Sequence, residues 1–144
     1  MAIYNHLLAP GRINGMTLRN RIVVTAMGVS FSEEDGFVNE RLTAYHERQA
    51  EGGAGLIILG VTAVGHPLGV VASGQTGISD DKYIPGLRQL TERVHKHGAR
   101  IAAQLHFGGL VAGYSAKWGL PLWAPAMPKP FEGDFGSQFM PEEL

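Results

Sequence analysis

The chain has 144 residues, of which 44% are hydrophobic and 17% charged, and its formal net charge is −1. This composition is typical of a globular protein, and the near-zero charge argues against a nucleic-acid or anionic-membrane surface. The absence of cysteine excludes disulfides and thiol chemistry. No apolar run approaches the roughly 18 residues of a membrane span. The start, MAIYNHLLAP, lacks the apolar core of a signal peptide, so a cytoplasmic location is expected.

The first predicted element is a small β-hairpin over residues 7–20, LLAPGRINGMTLRN. Asn14-Gly15 is a strong hairpin signal because a type I′ turn needs positive φ at both central residues. Apolar side chains flank the dipeptide on both sides.

Two strands and a helix follow the hairpin. Residues 21–26 predict a buried strand that ends in the small residues of RIVVTAMG. Asn39 suits the N-cap of a helix over about 40–51, which Gly52 and Gly53 would end. The run AGLIIL, 54–59, is continuously apolar and predicts a strand covered on both faces.

The second half begins with a turn-rich segment over 60–80. A helix from about 82 or 85 to 97 is predicted, with Pro85 in its first turn and Gly98 at its C′ position. ARIAAQL, 99–105, is the third strand. Alternating strands and helices predict an α/β fold with a parallel sheet. Residues 106–144 form a long loop region rich in glycine, proline and aromatics, and its last residues, MPEEL, resemble a helix start.

Motifs for phosphate or metal binding give little support to either function. There is no G-x-G-x-x-G or G-x-x-x-x-G-K-[ST] pattern, and GGLVAG, 108–113, is better explained as a flexible loop. Solvent-facing or capping roles are expected for His6, His46, His95 and His97, none of which has metal-site spacing. His66 and His106 each follow the carboxyl end of a strand, where parallel folds place their sites. For these two histidines a functional role and a purely structural one both stay open.

Gln104 is the most informative polar residue, because it interrupts the apolar strand IAAQL. A buried amide without partners costs about 1–3 kcal/mol. Its donor and acceptor, side by side, match an imide edge such as the pyrimidine of a flavin. A bond to neighbouring backbone near the strand end explains it equally simply, and the residues alone favour that explanation.

Taken together, three segments resemble the old yellow enzyme family of FMN-dependent oxidoreductases: NRIVVTAMG (20–28), YHERQAEGGAGLIILG (45–60) and GARIAAQLHFGG (98–109). SEEDGFVNERLTAYHERQ is closest to the branch with bacterial 2,4-dienoyl-CoA reductases and 2-enoate reductases. The hairpin is similar to that family's plug at the amino-terminal end of the barrel, and WAPAMP (123–128) resembles its long loop. The resemblance runs from Leu7 to Leu144.

The resemblance implies a (β/α)8 barrel of which this chain carries the hairpin and the first three β/α units. Residues 1–144 would then be the amino-terminal portion of an FMN-binding TIM-barrel domain, divided into the hairpin (7–20), the β/α units (21–105) and the loop region (106–144). Such a barrel typically needs about 250 residues and places phosphate near strands seven and eight. The chain would therefore be incomplete, whether truncated, split or processed.

The resemblance also implies the flavin-binding residues, all at the ends of the three strands. They are Thr25, Ala26, Met27 and Gly28 along the ring, Gly60 and Val61 where the ring approaches, and Gln104 at its pyrimidine. Three departures from the family pattern concern this set. Proline often stands where Ala26 is, and Cys, Thr or His where Gly28 is. The Q-L-x-H-x-G-R motif loses its His and Arg, with His106 displaced by one position.

The function implied is NAD(P)H-dependent reduction of an activated C=C bond, as in an enone or an enoyl or dienoyl thioester, with FMN as cofactor. No catalytic or metal-binding residue is assigned, and an iron–sulfur cluster or FAD is expected only if further domains exist. The partner would be the missing barrel half or a second copy, and the isolated chain is expected to be inactive. The alternative is a non-catalytic fragment or split subunit that works only with a partner. A flavin-free barrel aldolase or isomerase is disfavoured, because no Lys, Asp or Glu stands at the strand ends.

Overall fold

The computed structural model of the chain describes residues 4–120, which form a two-stranded antiparallel sheet and a three-stranded parallel sheet. The elements in chain order are α1 (Asn5–Leu8), β1 (Gly11–Ile13), β2 (Met16–Leu18), β3 (Val23–Met27), α2 (Glu40–Glu51), β4 (Leu56–Ala63), α3 (Ile84–Lys96), β5 (Arg100–His106) and α4 (Gly113–Lys117). Short 3₁₀ turns precede α3 and α4, at Asp81–Tyr83 and Gly109–Val111. The predicted MPEEL and WAPAMP features lie outside the described residues.

The predicted hairpin is present, but its turn differs from the expected one. β1 pairs with β2 in the register Ile13↔Met16, which leaves Asn14 and Gly15 as the turn. Asn14 has a positive φ of 48°, whereas Gly15 does not have one. The turn is therefore not type I′, which requires positive φ at both residues. The helix α1, before the hairpin, was not predicted.

The parallel sheet has the order β3-β4-β5, with α2 and α3 as the crossovers. The helix limits follow the predicted end signals. The Asn39 side chain accepts the Leu42 N–H at 3.0 Å and starts α2, and Gly53, with φ 107°, follows its end. Pro85 lies in the first turn of α3, and Gly98, with φ 75°, follows that helix.

Both long helices pack on one face of the sheet. Two buried clusters hold them there: Ala50, Ala54, Ile57, Val94 and Ala99 in one, and Leu42, Leu59 and Leu90 in the other. The central strand β4 is mostly buried, as its apolar sequence predicts. β3 and β5 are not covered on both faces within residues 4–120, since Met27 is 62% exposed and Leu105 64%.

His46 corrects the expectation of a solvent-facing or capping role. It lies on the buried face of α2 and is 2% exposed, because that face packs toward the sheet. Its Nδ1 lies 2.9 Å from Gln49 Oε1, while its Nε2 is buried without a partner among the described residues. Burial lowers the pKa of His46 below its usual value, and the Gln49 contact opposes that shift only in part.

The buried His46 predicts a pH-dependent stability. Because the pKa of His46 is lower in the folded state, the unfolded chain binds the proton at a higher pH than the folded chain does. The contribution of His46 to the free energy of unfolding is therefore fully present above a pH of about 6.5. As the pH falls from there through the lowered pKa, the free energy of unfolding decreases by at most about 1.4 kcal/mol per pH unit for one proton. Urea unfolding between pH 7 and 5 should show this slope, and His46→Leu should reduce it. His95→Gln, at an exposed position of α3, is the matched control. An unchanged slope in His46→Leu would contradict the account.

Arg19 joins the hairpin to the ends of both long helices. Its guanidinium donates to the Ala54 carbonyl at 3.0 Å, to the Ala50 carbonyl at 2.5 Å and to the His97 carbonyl. Residues 50 and 97 are at the carboxyl ends of α2 and α3, where carbonyls lack helical partners and a positive charge is favourable.

We therefore expect Arg19→Ala to destabilise the chain by about 2 kcal/mol, because hydrogen bonds to charged groups contribute about 1.5–3 kcal/mol. The matched control is Arg12→Ala. Arg12 is an exposed arginine of the same hairpin, and its hydrogen bond within the described part of the chain goes to the nearby Asn14 carbonyl. Urea midpoints measure both variants. Equal midpoints for the two would show that Arg19 does not tie the helices together.

Candidate functional site

The carboxyl ends of β3 and β4 both carry a β-bulge. Val24 pairs with Ile57 and Met27 with Leu59, so β3 has one extra residue at Thr25 and Ala26. Leu59 pairs with Ala103 and Thr62 with Leu105, so β4 has one extra residue at Gly60 and Val61. Bulges are frequent at barrel rims and beside active sites, where they redirect the backbone. The strand β4 continues through Gly60 to Ala63, whereas the sequence predicts that it ends at residue 59.

Gly60 is required by the neighbouring strand. A Cβ on Gly60 would lie 2.6 Å from the Met27 nitrogen and closer still to the Met27 carbonyl. The family resemblance implies that this small residue lets the flavin ring approach. The backbone of β3 already needs the same space, so Gly60 is explained whether or not a ligand binds.

Val61 connects the second bulge to β5. It has a φ of 37°, an unusual value for a β-branched residue. Its N–H donates to Gln104 Oε1 at 3.2 Å. The bond to neighbouring backbone that the residues alone favoured for Gln104 is therefore present. Since only Oε1 is used, the Gln104 amide nitrogen has no acceptor among the described residues and can donate elsewhere.

The seven predicted site residues lie together at the carboxyl edge of the sheet. Met27 contacts Gly60, Gly28 lies beside Val61, and Val61 bonds Gln104, while Thr25 and Ala26 immediately precede Met27. Four of them are exposed: Thr25, Met27, Gly28 and Gln104. Ala26 and Val61 are half-buried and Gly60 is buried. This edge therefore exposes Thr25, Met27, Gly28 and the amide-bearing Gln104.

A cleft of about 130 Å³ adjoins the edge and is lined by Gly28, Gly60, Val61, Phe31, Val71 and Gln75, among others. The loops after β3 and β4 form its walls. Ser32 Oγ lies 2.8 Å from Thr76 Oγ1, and the Ser32 N–H donates to the Gly74 carbonyl at 3.1 Å. These contacts fix the two loops to each other. Sequence reasoning missed Gln75 and Thr76, which stand in a turn-rich segment with no motif around them.

His66 and His106, the two histidines whose roles stayed open, lie near this edge. His66 is half-buried against Tyr83, with ring centroids 6.1 Å apart, and its Nε2 is buried without a partner among residues 4–120. Burial, and then the charge of Lys82, lower the pKa of His66. His106 is the last residue of β5, and its Nδ1 lies 3.5 Å from Gln75 Nε2.

The described residues contain neither a metal-binding cluster nor a membrane-spanning helix. No group of three or more His, Asp or Glu side chains there is arranged to hold a metal ion. No helix within residues 4–120 has the length and apolar character needed to cross a membrane.

Several known proteins are similar to this chain in sequence or in structure. The NADH oxidase of Thermoanaerobacter brockii is 39% identical over 145 residues, covering 100% of this chain but 22% of that protein. The Old Yellow Enzyme from Pichia sp. AKU4542 superposes with a TM-score of 0.76 at 26% identity, over 84% of this chain and 32% of that one. A 2-naphthoyl-CoA reductase superposes with a TM-score of 0.74 at 26% identity, over 79% of this chain and 18% of that one.

The chain thus spans 18% to 32% of the length of these proteins. The hairpin and the β3–α2–β4–α3–β5 series match the start of their (β/α)8 barrels, which confirms the predicted fold class. The family described as NADH:flavin oxidoreductase / NADH oxidase matches residues 6–125. The chain belongs to the NADH:flavin oxidoreductase / NADH oxidase family.

Proposed function

We propose that this chain supplies the first wall of an FMN site in an NAD(P)H-dependent oxidoreductase that reduces an activated C=C bond. The observation that carries the proposal is the Val61–Gln104 contact at the β4 bulge, which leaves an oriented amide donor at an open strand edge. Family membership supports FMN as the cofactor and NAD(P)H as the reductant. The substrate would be an enone or an enoyl or dienoyl thioester, and the neighbouring 2-naphthoyl-CoA reductase was solved in complex with another acyl-CoA thioester, 2-naphthoyl-CoA.

The residues present are compatible with a flavin ring. Thr25, Met27 and Gly28 are exposed along this edge, so their backbone groups would be available to bond and orient the ring. Gln104 would donate its free amide hydrogen to a ring acceptor. No Lys or Arg lines the cleft within the described residues, so the phosphate group of FMN would be held by residues elsewhere.

When bound, FMN supplies hydride transfer between the nicotinamide and the activated C=C bond. The role of this chain is to bind and orient. The two bulges shape the floor, Val61 holds the Gln104 amide in one orientation, and Gln104 fixes the position of the ring edge. No residue of 4–120 at this edge is assigned as the proton donor, and that group would come from outside the described part.

A second candidate function is that of a non-catalytic fragment or split subunit that acts only with a partner chain. The exposed apolar side chains on β3 and β5 favour it: Val23 is 40% exposed and Met27 62%, with Leu105 at 64%. The partner would be the remaining barrel half or a second copy, and the location would be cytoplasmic. An iron–sulfur cluster or FAD would require further domains.

The two candidates are separated by assaying NAD(P)H-dependent reduction of 2-cyclohexen-1-one with added FMN. We expect no turnover from the 144-residue chain alone, because the phosphate site and proton donor are not assigned to it. We expect turnover from a chimera in which this chain replaces the matching segment of the Thermoanaerobacter brockii NADH oxidase, 22% of that protein. Turnover by the chain alone would contradict the proposed division of the site. A folded chimera that binds FMN and does not turn over would favour the non-catalytic candidate.

A further inference from the structure

Gln75 is a buried polar side chain in the wall of the cleft, and the proposed function gives it no role. It is 3% exposed. Its Oε1 accepts the Val71 N–H at 3.0 Å. Val71 is half-buried and its N–H can only donate, so this bond indicates which end of the amide is oxygen. With the amide reversed, the Val71 N–H would face an NH₂ group.

The orientation of Gln75 in turn favours one tautomer of His106. The Gln75 NH₂ group lies 3.5 Å from His106 Nδ1. An NH₂ group can only donate, so it favours an Nδ1 that carries no proton. A neutral imidazole has one N–H, which must then be on Nε2.

The backbone of His106 is held in the sheet next to the proposed flavin edge. His106 pairs with Ala63, and its carbonyl accepts the Val64 N–H at 3.1 Å. Because side chains alternate along a strand, His106 projects on the same face of β5 as Gln104, two residues earlier. Its ring is half-buried.

We propose that Gln75 fixes the tautomer of His106, so that His106 presents its Nε2–H as a donor to a ligand oxygen beside Gln104. The ligand group is a carbonyl oxygen, of the flavin ring or of the unsaturated substrate, and in this respect the proposal rests on the proposed function. Gln75 is a positioning residue, since it acts through His106. This role of His106 is not taken from the family motif, because His106 is displaced by one position from the histidine of that motif.

The tautomer is measured without flavin, in the ¹⁵N-labelled 144-residue chain, by long-range ¹H–¹⁵N correlation of the imidazole nitrogens. We expect the His106 proton on Nε2 in the parent chain. Gln75→Glu should move it to Nδ1, because a carboxylate keeps the acceptor for Val71 and also accepts from Nδ1. Gln75→Leu should give a mixture. His95, exposed on α3, is the internal control and should not change. The same tautomer population at His106 in all three chains would overturn the proposal.

The ligand contact is measured in the chimera through the FMN dissociation constant and the KM for 2-cyclohexen-1-one. His106→Leu should weaken one of them by about tenfold, the loss of one hydrogen bond. His106→Gln, which keeps an N–H donor, should weaken it less. A change in the FMN constant assigns the flavin carbonyl, and a change in KM assigns the substrate. Equal effects of both substitutions would overturn the donor role. A chimera that binds no FMN would contradict the proposed function. The tautomer measurement, which needs no flavin, would still test the effect of Gln75 on His106.

Discussion

Gly60→Ala should prevent the parallel sheet from forming, with a loss of about 4 kcal/mol or more of stability, the range of severe core substitutions. The added Cβ would lie 2.6 Å from the Met27 nitrogen and closer to its carbonyl. These are backbone atoms of the paired strand β3, and they cannot move aside as a flexible side chain could. Circular dichroism and urea unfolding of the purified chain measure the effect.

Gly113→Ala is the matched control, because a Cβ there meets no heavy atom of residues 4–120 within 4 Å. It should leave the urea midpoint unchanged. A Gly60→Ala chain with the parent midpoint would mean that the Met27 backbone of β3 does not lie against Gly60 as described. The bulge geometry of the site would then be wrong.

Gln104→Leu should weaken FMN binding to the chimera by about 10- to 100-fold while leaving the fold intact. The side chain is exposed at the strand edge, so its loss costs little packing. The substitution removes a hydrogen-bond donor and leaves its acceptor on the ligand unsatisfied, which costs about 1–3 kcal/mol of binding free energy. Each 1.4 kcal/mol changes the dissociation constant tenfold. Quenching of FMN fluorescence gives the dissociation constant.

Gln104→Glu separates the effect of the NH₂ donor on FMN binding from the effect of the contact with Val61. The carboxylate keeps an acceptor for the Val61 N–H but has no NH₂ group, so it should weaken FMN binding as Gln104→Leu does. Arg100→Gln, at the opposite end of β5, is the control and should leave the affinity unchanged. If Gln104→Glu retained parent affinity, Gln104 would act only as a support for the β4 bulge.

Much of the secondary structure could be predicted, because its signals are local. The limits of α2 were set by Asn39 and by the glycine pair after Glu51, and Pro85 and Gly98 framed α3. The end of β4 could not be predicted in the same way. Gly60 looked like a strand stop, whereas it is a point inside β4 where the Met27 backbone of β3 lies close, and that depends on pairing across the sheet.

The candidate site was located by resemblance, and its internal contacts were not predictable. Gln104 stood out as a polar residue in an apolar strand, but its partner Val61 is 43 residues away. Gln75 had no motif around it, and its importance comes from the Val71 N–H that it satisfies. His46 was expected in a solvent-facing or capping role because it lacks metal-site spacing, whereas its burial depends on how α2 packs on the sheet.

The central claim is that the carboxyl edge of β3, β4 and β5 forms one wall of a flavin site. Its most direct measurement is an FMN titration of the folded chimera, comparing the parent with Gln104→Leu. The account predicts one FMN per chimera, with affinity reduced by about 10- to 100-fold in the variant. A folded chimera that binds FMN equally well with and without Gln104, or that binds none, would contradict it.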